Sequence, residues 1–77
     1  MKIGDRIKEL RKEKKLSQRE LAAAVNHGQT AITFWERGIN QPTADAIIAL
    51  ADFFDVSADY LLGRVDEAGK PIERKKV

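Results

Sequence analysis

Apolar residues recur along this chain at helical spacing, and short polar turns separate the runs. Ile3, Ile7 and Leu10 stand among lysines, arginines and glutamates, which predicts a first helix over residues 3–15. Arg11 follows Ile7 by one helical turn, so it borders the apolar stripe instead of opposing it. Leu16 turns the chain inward. Ser17 then opens a second helix as half of a capping box: its hydroxyl can accept from the backbone N–H near Glu20, while Glu20 reaches back to the Ser17 N–H. Leu21, Ala22 and Val25 supply an inward face, and the run Ala22–Ala24 favours helix and permits close approach of a neighbour. The helix stops at Asn26-His27-Gly28, where Asn26 tolerates the left-handed backbone of a C-terminal cap.

A third helix runs from Gln29 to Arg37 and ends at Gly38. At about 100° per residue, Ala31, Ile32, Trp35 and Glu36 share one side. Gln29, Thr30, Thr33, Phe34 and Arg37 share the other. The first side is apolar except for Glu36; the second holds an amide, hydroxyls, an aromatic ring and a guanidinium, with no acid. That chemistry suits base edges and phosphates. The loop Ile39-Asn40-Gln41-Pro42 follows. Thr43 caps a fourth helix with Asp45 in its first turn, where the helix dipole favours an anion. Ile47, Leu50, Ala51 and Phe54 form its inward stripe, with Ile48 and Phe53 at the sides. Ser57 caps a short fifth helix over residues 58–62, with Asp59 in its first turn, and Gly63 ends it. Residues 64–77 lack apolar periodicity, contain Gly69, Pro71 and the run Arg74-Lys75-Lys76, and read as a flexible basic tail. No strand pattern or internal repeat emerges, so the fold class is all-α.

Composition narrows the setting. A chain of 77 residues forms one small domain with a modest core, a size at which pairing with a second copy helps stability. With no cysteine it has no disulfide and no thiolate-ligated zinc, and a reducing compartment is its natural home. No apolar run approaches the roughly 20 residues of a membrane span, and no signal-peptide core follows Met1, so a cytoplasmic location is expected. The single His27 builds no metal site alone, and no cofactor or small-molecule ligand is implied. An enzyme lacks a sequence basis: there is no glycine-rich phosphate loop and no acid beside a plausible nucleophile. The net charge of +2 decides little, but its distribution is uneven. Lys2, Arg6, Lys8, Arg11, Lys12, Lys14 and Lys15 outnumber Asp5, Glu9 and Glu13 at the start, whereas residues 39–63 carry Asp45, Asp52, Asp55 and Asp59 and no base. A polyanion meets one end of such a molecule and is repelled by the other.

Several pieces occur together in order: Ile7, Leu10 and Arg11; Leu16-Ser17-Gln18 with Glu20-Leu21-Ala22; Ile32 followed by Trp35-Glu36-Arg37-Gly38; Pro42; and Val56-Ser57 with Asp59-Tyr60-Leu61-Leu62-Gly63. In that joint spacing the chain resembles the lambda repressor and Cro family of helix-turn-helix regulators, the Xre family, over about residues 3–63. The resemblance implies a compact five-helix bundle whose second helix crosses the DNA backbone and whose third lies in the major groove. It implies DNA contacts by Ser17, Gln18, Gln29, Thr30, Thr33, Phe34 and Arg37, with Asn40 and Gln41 in the following loop. It further implies that Gln18 contacts phosphate and hydrogen-bonds Gln29, which reads adenine, and that Arg11 and Glu36 form a structural ion pair.

The implied function is a sequence-specific double-stranded DNA-binding repressor of phage or bacterial type, acting as a homodimer on a near-palindromic operator. A different class of reading is an antitoxin or other protein-interaction module on the same fold, with residues 64–77 serving the partner. Phe34 stands where the family carries a polar residue, and two readings remain: contact with a thymine methyl, or folding back beside Trp35. Gly28 replaces the family's serine or threonine cap, and His27 reads as a turn residue near phosphate. Tyr60, Leu61 and Leu62, with Phe53 or Ile48, divide between core and dimer interface.

Overall fold

The computed structural model describes residues 2–71, all α-helical but for one isolated bridge. Five helices follow in order: α1 (Ile3–Glu13), α2 (Gln18–Ala24), α3 (Gln29–Arg37), α4 (Ala44–Phe54) and α5 (Ala58–Leu61). Three of them start where the capping residues stand. Ser17 Oγ accepts from the Glu20 N–H at 3.0 Å, and Glu20 Oε1 accepts from the Ser17 N–H at 2.8 Å, which completes the capping box of α2. Thr43 and Ser57 cap α4 and α5 through the N–H groups of Ala46 and Tyr60. Helix α3 starts at Gly28 with no side-chain cap.

The helix ends share one device. Lys15, Asn26, Gly38, Asp55 and Gly63 each adopt positive φ, between 56° and 76°. After each of them the next N–H reaches back six residues, counting both ends, as in Leu16 to the Arg11 carbonyl and Ile39 to the Phe34 carbonyl. Asn26, Asp55 and the glycines suit this backbone. Lys15 does not, and it accepts the strain where the chain turns toward the half-buried Leu16. Helix α1 therefore ends at Glu13 instead of continuing to residue 15.

The core is one cluster built on Ile7, Leu21, Ile32, Leu50 and Leu61, each fully buried, with Trp35, Val25 and Phe54 around them. Burying side chains of this size stabilises by about 1.5–3 kcal/mol apiece. On α4 Leu50, Ala51 and Phe54 are buried as their periodicity suggests, but at the start of the stripe Ala46 is fully buried and Ile47 only half-buried. Gly4 marks a close approach. Its Cα faces the Trp35 carbonyl so tightly that a β-carbon would overlap that oxygen. The N-terminus of α1 thus rests directly on the C-terminal turn of α3.

Residues 64–71 of the expected tail are shaped locally. Val65 and Pro71 form an isolated antiparallel bridge, and Asp66 Oδ1 accepts from the N–H groups of Ala68 and Lys70, both at 2.9 Å. The turn follows from Asp66 and Gly69 chemistry rather than from apolar spacing, and it lies over Leu10, Val56 and Tyr60 along a groove they share. Arg74-Lys75-Lys76 lie outside the described residues.

Candidate nucleic-acid interface

Helix α3 packs against both α1 and α2, so its orientation is fixed from two sides. Ile32 is fully buried, Trp35 is 6 % exposed, and the His27 ring meets Trp35 edge-on at 5.2 Å between centroids. His27 is therefore a packing residue at the turn. On the opposite side Gln29, Thr30 and Arg37 are exposed, and Thr33 and Phe34 are half-buried. Phe34 does not join the core cluster, so its ring belongs to the outward surface. Asn40 and Gln41 continue that surface beyond Gly38, and Lys2, Arg37 and Gln41 line a cleft beside the end of α3.

A polar network ties this face to the bundle. Arg11 donates from Nε to Glu36 Oε2 at 2.7 Å and from Nη2 to Glu36 Oε1 at 3.0 Å, a bidentate pair; its Nη1 donates to the Leu16 carbonyl at 2.8 Å. The side chains of Arg11 and Glu36 are only 11 % and 3 % exposed, so the pair is shielded from water. Hydrogen bonding to Glu36 holds the Arg11 guanidinium even more firmly protonated than usual. Gln18 extends the network: its Nε2 donates to Glu36 Oε1 at 3.1 Å, and its Oε1 accepts from Thr33 Oγ1 at 2.8 Å. Thr33 also lies 3.1 Å from the Gln29 carbonyl one turn back. The pairing of Arg11 with Glu36 is thus as the sequence implies.

The partner of Gln18 is not. Among the described residues its amide is taken up by Glu36 and Thr33, and no bond to the Gln29 side chain forms. The buried carboxylate is the strongest acceptor within reach and draws the amide inward, leaving Gln29 exposed and free. The Ser17 hydroxyl is likewise engaged as a helix cap, which leaves its lone pairs shared between the cap and any outside ligand.

One buried base escapes the apolar pattern. Arg6 is buried at 7 % exposure, its guanidinium lies 3.9 Å from the Tyr60 ring centroid, and its Nε has no hydrogen-bond partner among the described residues. Stacking on an aromatic face, worth about 2 kcal/mol when desolvated, takes the place of an ion pair. The signal available in the sequence is its position one residue before Ile7, on the flank of the apolar stripe. Arg6 fastens α1 to α5, so the basic first helix and the acidic stretch of residues 39–63 share a seam.

Comparison with known proteins agrees with this architecture. Residues 7–61 match the model of the Helix-turn-helix family. The HTH-type transcriptional regulator ImmR of Bacillus subtilis is 37% identical over 73 residues, covering 95% of this chain and 57% of that protein. Repressor protein C2 of Salmonella phage P22 is 37% identical over 60 residues, covering 78% of this chain and 28% of that protein. Among solved structures, the P22 c2 repressor in complex with a synthetic operator superposes with a TM-score of 0.77 at 35% identity, over 80% of this chain and 94% of that one. The biofilm regulator SinR of Bacillus subtilis, in complex with DNA, superposes with a TM-score of 0.73 at 34% identity, over 78% and 97% of the two chains. The chain spans between 56% and 66% of the length of the first four curated relatives. The geometry and these similarities together establish that the chain belongs to the lambda repressor-like, or Xre, family of helix-turn-helix proteins.

Proposed function

We propose that the chain is a sequence-specific double-stranded DNA-binding transcriptional regulator, a repressor of phage or bacterial type that occupies a near-palindromic operator as a homodimer. The observation that carries the reading is the outward side of α3: acid-free, polar and cationic, and locked at one angle through Glu36. Gln29 and Thr30 at the N-terminal end read base edges, Arg37 and the loop residues Asn40 and Gln41 take phosphates, and Phe34 meets a thymine methyl. The engaged Gln18 keeps Thr33 and α3 in register. The similarity to the P22 c2 repressor and to SinR, both solved in complex with DNA, supports this reading.

Two copies place their α3 helices in successive major grooves about 34 Å apart. Ile48 and Leu62, 58% and 37% exposed, offer apolar surface on α4 and after α5 for the second copy. Phosphate contacts make affinity fall with salt, and repression follows from occupancy of promoter DNA. Selection from a random duplex library tests the reading. Enrichment of one motif with two-fold symmetry is expected; recovery of unenriched sequence overturns it. Sedimentation of the selected complex tests the dimer, which a single copy per duplex overturns.

A further inference from the structure

The hydrogen-bond network behind α3 has a direction. Arg11 carries only donors, and the Glu36 carboxylate it grips only accepts. Glu36 Oε1 therefore calls for the amide NH2 of Gln18, at 3.1 Å. That leaves the Gln18 carbonyl oxygen facing Thr33, and an oxygen there requires the Thr33 hydroxyl to donate, at 2.8 Å. Turning the Gln18 amide over would set its oxygen against the carboxylate and lose the bond to Glu36. The other acceptor near Thr33 Oγ1, the Gln29 carbonyl at 3.1 Å, also belongs to the protein. A hydroxyl has one hydrogen, so its proton points inward in either case and only lone pairs remain for an outside ligand.

We propose that Thr33 is a specificity-determining residue that acts purely as an acceptor: it reads an exocyclic amino group in the major groove, the N6 amine of adenine or the N4 amine of cytosine. The proposal rests on the DNA-binding function proposed above. Phosphate oxygens, guanine O6 and N7, adenine N7 and thymine O4 are all acceptors, and a hydroxyl whose proton is engaged inward cannot satisfy them. The charge of Arg11 is thus relayed through Glu36 and Gln18 as a fixed polarity at the outer surface of α3.

Atom-by-atom replacement on the selected duplex tests this. Affinities of the parent, Thr33→Val and Thr33→Ser are measured on duplexes in which one adenine at a time is replaced by purine nucleoside, which lacks the N6 amine, or one cytosine by 2-pyrimidinone, which lacks the N4 amine. Circular dichroism establishes that each variant is folded. At one base pair, loss of the amine is expected to weaken the parent and Thr33→Ser by roughly three- to tenfold, the worth of one neutral hydrogen bond. Thr33→Val, which keeps the shape and loses the oxygen, is expected to be indifferent to that same amine. The proposal is overturned if every amine penalty persists in Thr33→Val, or if Thr33→Val weakens all duplexes by one common factor, as loss of a phosphate contact would. Failure of DNA binding itself has a different signature, because the parent then selects no duplex and both proposals fall.

Discussion

Replacing Glu36 by alanine removes the acceptor of three hydrogen bonds, two from Arg11 and one from Gln18. Arg11 keeps its bond to the Leu16 carbonyl, but its side chain is only 11 % exposed and water cannot fully replace the lost carboxylate. Breaking a buried pair from one side costs about 3–5 kcal/mol. The remaining Leu16 bond and the small exposure of Arg11 put the expected loss near the lower end, about 3 kcal/mol. At roughly 0.05–0.15 kcal/mol per residue, a domain of this size holds about 4–12 kcal/mol in all. Each kcal/mol shifts the melting temperature of such a domain by about 4–8 °C, so thermal unfolding followed by circular dichroism should move down by roughly 12–24 °C. The paired replacement Arg11→Met with Glu36→Leu removes both charges and should restore most of the stability. It leaves Gln18 without its anchor, so DNA affinity should stay low while the fold recovers. A melting temperature for Glu36→Ala within roughly 2 °C of the parent, less than 1 kcal/mol, would refute the reasoning.

Gly4→Ala drives a β-carbon into the Trp35 carbonyl, and the backbone of α3 has to move; chemical denaturation should report a loss of about 1–3 kcal/mol or more. Lys15→Gly relieves a left-handed residue that carries a β-carbon, φ 56°, and should raise stability by about 1 kcal/mol in the same assay. The Glu20 carboxyl is held below its ordinary 4.5 by the N–H and hydroxyl of Ser17. A lowered folded value means stability that is fully present above pH 4.5 and is lost as pH falls through that lower value, so the advantage of the parent over Glu20→Ala should shrink in urea titrations carried below pH 4.5.

Much of this fold is readable from residue chemistry acting over short sequence distance. Ser17 with Glu20, Thr43 and Ser57 mark helix starts because a cap and its N–H are three residues apart. Asn26 marks a turn because its side chain tolerates left-handed backbone. The Arg11–Glu36 pair is readable for another reason: Glu36 is the one charge on the inner side of its helix, and Arg11 borders the apolar stripe of the first. What stays hidden depends on distances between helices. Nothing local tells that Gly4 meets the Trp35 carbonyl, that Ala46 outranks Ile47 for the core, or that Arg6 finds Tyr60 rather than an acid. The same holds for Gln18, whose choice between Gln29 and the Glu36–Thr33 pair is decided by which acceptor the packing brings nearest. Lys15 hides for the opposite reason, since the tertiary need to turn Leu16 inward overrides local preference.

Whether the outward side of α3 reads DNA sequence is decided by one cycle of affinities. The parent and Gln29→Ala are measured on the selected operator and on copies carrying each single base-pair change. Gln29 is exposed and its side chain is unengaged among the described residues, so its loss should leave the fold intact. Gln29→Ala should erase discrimination worth about 1–3 kcal/mol at one or two neighbouring base pairs and leave the others unchanged. An equal loss on every duplex, or none, would contradict that role for α3.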